Sequence, residues 1–88
     1  MKTYKITTSD IKDFLEEEKN FSVELYQDGT CSVLPADAYG YPRDRMTRIE
    51  FEYYDFEECD KDFDLYKDWI ESNFDSCASE NGYTIEII

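Results

Sequence analysis

The chain has twenty-two Asp and Glu side chains, nine Lys and Arg and no histidine among its 88 residues, which narrows the chemistry open to it. Without histidine, Ser-His and Cys-His nucleophile systems are excluded. Its three glycines form no phosphate-cradling loop. Carboxylate pairs are so abundant that none is distinctive, and a glycosidase needs a deep cleft that one small domain hardly builds. The most suggestive spacing is Asp60, Asp62, Asp64, Asp68 and Glu71, which imitates the ligand positions of an EF-hand calcium loop. The sharp turn of that loop needs glycine where this chain has Leu65, and Lys67 replaces its aliphatic strand residue. No metal, no cofactor and no enzyme activity are expected. Arg43, Arg45 and Arg48 form the one arginine cluster. They suit an anion site, or, as the preferred reading, partners that pair with surrounding carboxylates and order a loop.

The net charge is −13 and the pI about 4.1. Charge on that scale opposes compaction and favours encounters with cationic partners. An aromatic share of 17% nevertheless supplies enough apolar surface for one folded domain. Direct binding to DNA, RNA or an anionic membrane is not expected; the fitting partner is a basic protein. Cys31, Cys59 and Cys77 contain no C-x-x-C pair and read as reduced, structural residues. The first residues lack a secretory signal's apolar run, and no stretch suits a membrane span, so the expected location is the cytoplasm.

These residues must be positioned by a small set of elements. A strand is expected over Lys2 to Thr7, then a helix in "TTSDIKDFLEEEKN", with Ser9 as N-cap and Ile11, Phe14 and Leu15 on one face. "FSVELYQDGTCSVLP" reads as a hairpin. A three-residue Gln27-Asp28-Gly29 loop aligns Phe21, Val23 and Leu25 with Pro35, Val33 and Cys31, and Gly29 supplies the left-handed residue. "ADAYGYPRDRM" is a loop punctuated by Gly40 and Pro42. "TRIEFEYYD" alternates as a strand, with Ile49, Phe51 and Tyr53 inward and Arg48, Glu50, Glu52 and Tyr54 outward. A long helix from about Asp60 to Ala78 stops near Asn81-Gly82, and "YTIEII" closes the chain as a strand. The order β-α-β-β-β-α-β predicts a single α+β domain over residues 1–88, its two helices packed on a mostly antiparallel sheet.

Winding residues 59 to 77 as a helix gathers Cys59, Phe63, Tyr66, Ile70, Phe74 and Cys77 into a core stripe. Asp60, Asp64, Asp68, Glu71 and Asp75 share a flank, rising about 6 Å at each four-residue step. Each neighbouring like-charge pair opposes folding by roughly 0.2–0.5 kcal/mol at low salt. Glu50, Glu52, Asp55, Glu57 and Glu58 continue the negative surface on the preceding strand and turn. Glu16, Glu17 and Glu18 extend it if the first helix lies alongside. Leu65 and Trp69 fall off the core stripe. They are either the apolar centre of a charged-rim binding site or the floor under loop 36–46.

With its "EYYDFEECDKDFD" run and its low content of basic residues, the chain resembles the small acidic anti-defence proteins of phages and mobile elements. These are the anti-CRISPR proteins and the DNA-mimicking antirestriction proteins. The resemblance is one of type, covering composition and residues 50–75. It implies an inhibitor that occupies the nucleic-acid-binding surface of a CRISPR effector. The physical reading runs parallel. DNA presents a phosphate about every 3.4 Å per strand, and carboxylates on a rigid helix offer anions on a comparable length scale. Glu50, Glu52, Asp55, Glu57, Glu58, Asp60, Asp64, Asp68, Glu71 and Asp75 would stand in for phosphates, with Trp69 and Tyr54 supplying contact area. The alternatives are an immunity protein against a basic toxin such as a nuclease, and a small adaptor domain whose acidity serves solubility.

Overall fold

Alternation along β2 (Phe21–Tyr26) decides how the molecule is layered. All six residues are buried, so both faces of this strand are covered. A computed structural model describes residues 2–88; the side chains of 2 and 74–81 lie outside the described set. Around β2 the chain runs β1 (Lys2–Ile6), α1 (Thr8–Glu16), β3 (Cys31–Pro35), β4 (Arg45–Phe51), α2 (Tyr53–Glu58), α3 (Phe63–Asn81) and β5 (Tyr83–Ile87). The domain is α+β. Strands β3-β2-β4 form an antiparallel sheet, while β1 and β5 form a separate parallel pair.

The hairpin takes the expected register, Phe21 opposite Pro35, Val23 opposite Val33 and Leu25 opposite Cys31. Gly29 sits at φ 91°, where only glycine is at ease. The Asp28 carboxylate fixes the turn by accepting from the Thr30 amide at 2.9 Å and its hydroxyl at 2.6 Å. Helix α1 buries Ile11 and Leu15 as its spacing requires. Its N-cap is Thr7, not Ser9, and no side chain caps it; the first helical amide is instead engaged just past β5, Thr8 donating to the Ile88 carbonyl at 2.7 Å.

Two features depart from the expected order. Strand β4 ends at Phe51, and Tyr53 opens helix α2 instead of pointing inward from a strand. The Tyr53 amide donates to Asn20 Oδ1 at 2.8 Å, a long-range contact invisible to local alternation. The long helix also starts later than expected. Asp60 and Lys61 adopt φ 58° and 54°, and α3 begins only at Phe63. Asp62 caps it, its Oδ1 accepting from the Asp64 amide at 3.0 Å and the Leu65 amide at 3.4 Å. No glycine or proline marks this turn; aspartate is among the few other residues that tolerate the left-handed region. At its far end α3 stops where expected, with Gly82 at φ 76°.

The core joins Tyr4, Ile6, Ile11, Phe21, Val23, Leu25, Phe51, Tyr66, Ile70 and the Tyr83, Ile85 and Ile87 face of β5. Phe21, Val23 and Leu25 therefore face the helices. The opposite face of β2 presents Ser22, Glu24 and Tyr26.

Candidate functional site

Glu24 is wholly buried on the face of β2 away from the helices. An isolated buried carboxylate would be prohibitive, and here three hydrogen-bond donors converge on it. Its Oε1 accepts from the Tyr26 hydroxyl at 2.9 Å and the Gly40 amide at 3.0 Å. Its Oε2 lies 2.7 Å from Arg48 Nη1 and 3.8 Å from Arg45 Nε. Burial pushes this carboxyl up, but the bonds from Tyr26, Arg48 and Gly40 and the charge of Arg45 outweigh it, holding it below the ordinary glutamate value. Arg48 also donates to the carbonyls of Ala36 and Ala38 at 2.7 and 2.8 Å. Arg45 and Arg48 thus pair with Glu24 and Arg48 ties down the 36–44 loop, as the preferred reading of the arginine cluster had it for these two; exposed Arg43 makes no ion pair among the described residues. The loop covers Glu24 rather than Leu65 and Trp69. Gly40 is required at this close approach: a Cβ there would collide with the Tyr26 hydroxyl and come within 2.7 Å of Glu24 Oε1.

The expected interaction residues divide into several groups. Glu52, Glu57, Glu58, Asp60, Asp64 and Asp68 are exposed, at the N-cap of α2, on α2, in the 59–62 turn and at the start of α3. Asp55 is half-buried in the first turn of α2. Asp55, Asp60, Glu58 and Asp62 surround Cys59, whose thiol is pushed up first by burial and then by these four charges. Tyr54 is 59% exposed, and its hydrogen bond with Glu58, reinforced by that carboxylate's charge, pushes its phenol up. This gathering of carboxylates with Tyr54 is the centre of the acidic surface.

Other members are placed differently. Asp60 lies in the left-handed turn and not on a helical ladder, because α3 starts three residues later. Asp62, which completed the EF-hand-like spacing, is occupied as a helix cap. Glu50 is exposed but projects from the other face of the sheet, since its cross-strand partner is Ser22; its Oε1 lies 3.8 Å from Arg48 Nε. Glu71 is half-buried and accepts from the Ile87 amide at 3.2 Å, tying α3 to β5. The Asp75, Phe74 and Cys77 side chains fall outside the described set. Trp69 is not paired with Leu65 on an open flank. Its ring stacks on Tyr66 at 5.7 Å and meets Phe51 edge-on at 6.3 Å, half-buried against the core. Leu65 is 51% exposed. The cause is the long reach of an indole from the edge of the core stripe, which a wheel of Cα positions understates.

Helix α1 lies beside the start of α3, with Lys12 Nζ 4.7 Å from the Phe63 ring centroid. Glu16, Glu17 and Glu18 are exposed, and Glu17 forms an ion pair with Lys19 at 3.3 Å. Glu24 carried no sequence signal of its role beyond one polar residue within an apolar strand. Among the described residues, no helix is long and apolar enough to cross a membrane. Family models, curated proteins and solved structures yield no match to this chain.

Proposed function

We propose that the surface formed by α2, the 59–62 turn and the start of α3 binds a basic nucleic-acid-binding surface of a bacterial defence complex, a CRISPR effector, and blocks access of target DNA. The observation that carries this reading is the exposure of Glu52, Glu57, Glu58, Asp60, Asp64 and Asp68 over two consecutive helices and their joint, with Lys61 and the half-buried Lys67 as the only cations in that stretch. Solvated like charges oppose folding, so a domain that keeps them together gains from a partner that neutralises them. Their rigid mounting lowers the ordering entropy lost on binding, compared with a flexible acidic tail. Tyr54 supplies exposed aromatic area among the charges, whereas Trp69 acts mainly by holding α3 against the core. A groove built from Lys and Arg to hold phosphates would accept these carboxylates by the same electrostatics. For a CRISPR effector, the surface that reads the short flanking motif must engage DNA first and is the most effective place to block.

The test is competition. Purified protein is applied to effector complexes, and target-DNA binding is measured across a salt series. Inhibition that weakens with salt and disappears in the Glu57→Lys, Asp64→Lys, Asp68→Lys triple variant is expected. Unchanged inhibition by a folded triple variant would sink the reading. Capture of one cognate toxin, with no effect on any DNA-binding complex, would favour an immunity protein instead.

A further inference from the structure

The outermost strands of a sheet carry main-chain N–H and C=O groups without a neighbour, and such a row is a template for a further strand. The two sheets here end on β1, β3, β4 and β5. Three of these edges are obstructed. β1 and β3 lean on one another, Cys31 Sγ donating to the Lys5 carbonyl at 3.2 Å, a contact that leaves no room for a strand between them. β3 also closes on Pro35, which has no N–H to offer. Helix α3 packs along β5, where Glu71 accepts from the Ile87 amide at 3.2 Å. The outer edge of β4 is left.

Backbone alternation decides which groups of β4 point outward. The Tyr26 amide donates to the Thr30 carbonyl at 2.9 Å, so Ser22, Glu24 and Tyr26 direct their main-chain groups to β3. Phe21, Val23 and Leu25 then direct theirs to Phe51, Ile49 and Thr47 of β4. Arg48 and Glu50 lie between these and turn their N–H and C=O groups away from the sheet. Among the described residues no hydrogen bond reaches those groups. Ile49 is only half-buried, although Val23 opposite it on the same face is 1% exposed. The open run has two natural ends. One is a register shift beyond Thr47, where Met46 Sδ accepts from the Tyr4 hydroxyl at 3.9 Å; the other is Glu52, the N-cap of α2.

We propose that the β4 edge at residues 47–51 receives an extended, cationic segment of a partner protein as an added strand. Charge selects that occupant. Arg48 spends its guanidinium on Glu24 and the carbonyls of Ala36 and Ala38. The open edge therefore shows Glu50, whose side chain is 64% exposed and 3.8 Å from Arg48 Nε, and exposed Glu52. A second copy would set the same carboxylates against them, between bodies of charge −13. An added strand places alternate side chains on the two faces of the sheet. One set lies beside Glu50 and suits Lys or Arg, while the other covers Ile49 and suits Val or Ile. This binding mode rests on the partner above being basic, but not on its being a DNA-binding complex, so either can fail while the other stands.

The probe is an acetylated, amidated peptide of alternating Lys and Val, titrated into the isotope-labelled full chain and followed by amide chemical shifts and hydrogen exchange. Shifts at residues 47–51 are expected, with about tenfold slower exchange of the Arg48 and Glu50 amides. The same peptide with every amide N-methylated keeps its charge and loses its donors, and should bind about tenfold more weakly. Glu50→Pro removes one outward N–H that the fold itself does not use. It should lose peptide binding while its far-ultraviolet circular dichroism stays unchanged. Equal binding by the methylated peptide would overturn the proposal, as would tight binding by a folded Glu50→Pro. So would shifts confined to α2 and α3, the mark of the acidic surface alone, or no binding at low salt. Protection of the Arg48 and Glu50 amides that grew with concentration of the free chain would assign the edge to a second copy instead, and would overturn it too.

Discussion

Glu24 and Asp68 are both carboxylates placed within 50 residues of one another, and they live under opposite rules. Glu24 is removed from water, bonded by three partners and approached by two arginines. Asp68 stands in solvent on α3, one turn from Asp64. On the loop face, a single charge is desolvated and matched, and it organises the backbone around it. On the helical face, Glu52, Glu57, Glu58, Asp64 and Asp68 remain exposed to water; their mutual repulsion opposes the fold, and they stay available to a partner. The comparison teaches that acidity has two separable uses here, one architectural and one interactive. Total charge hides the distinction.

The sharpest way to break that contrast is to neutralise the buried carboxylate. Glu24→Gln strands Arg45 and Arg48 beside an amide, and loss of about 3–5 kcal/mol is expected in urea unfolding, as for other broken buried pairs. The pH dependence has a definite sign. Because the folded-state value of Glu24 is depressed, its contribution is present above the ordinary glutamate value of about 4.3 and is lost as pH falls through the lower, folded value. The stability gap between the wild type and Glu24→Gln should therefore shrink in acid. A gap that stayed constant to low pH would show that the carboxylate charge is not what holds the loop.

Second in size is Trp69→Ala. If Trp69 belongs to the core through Tyr66 and Phe51, roughly 2 kcal/mol of stability should be lost. Leu65→Ala, at an exposed position, should lie within about 0.5 kcal/mol of wild type. Equal effects would restore the picture of an open Leu/Trp patch. Next comes Gly40→Ala, where the added methyl group must push aside the Tyr26 hydroxyl and Glu24; about 1–3 kcal/mol is expected. Limited proteolysis should then cut within residues 36–44 faster than in the wild type, while the α2–α3 region keeps its protection. The smallest effect is on the other side of the comparison. Glu57→Gln and Asp68→Asn should each raise stability by a few tenths of a kcal/mol at low salt, and the gain should vanish in high salt.

Several parts of this molecule were legible before its structure was known. The hairpin register followed from placing Phe21, Val23 and Leu25 on one face and Gly29 in the turn, because a one-residue slip exposes the whole apolar set. The Ile11/Leu15 stripe of α1, the Gly82 stop of α3 and the α+β class were local or compositional signals. Even the pairing role of the arginines was open to charge reasoning. The acidic surface was legible as a composition, but its layout was not, since one strand residue or one turn decides which face a carboxylate serves.

Sequence by itself determined the inventory: a folded aromatic domain, strongly negative, without histidine chemistry and with the charge concentrated in residues 50–75. Tertiary structure decided the assignments. The Asn20 bond to the Tyr53 amide accompanies the change from strand to helix after Phe51. The left-handed Asp60-Lys61 turn delays to Phe63 the start of a helix that periodicity begins near Asp60. Glu50 is turned to the sheet's other face and Glu71 is engaged by β5. Glu24, which resembles any other polar residue of a half-buried strand, becomes the centre of a network whose members lie 2 to 24 residues away. Periodicity is a property of neighbours along the chain, whereas the fate of a charge depends on what the fold brings to it.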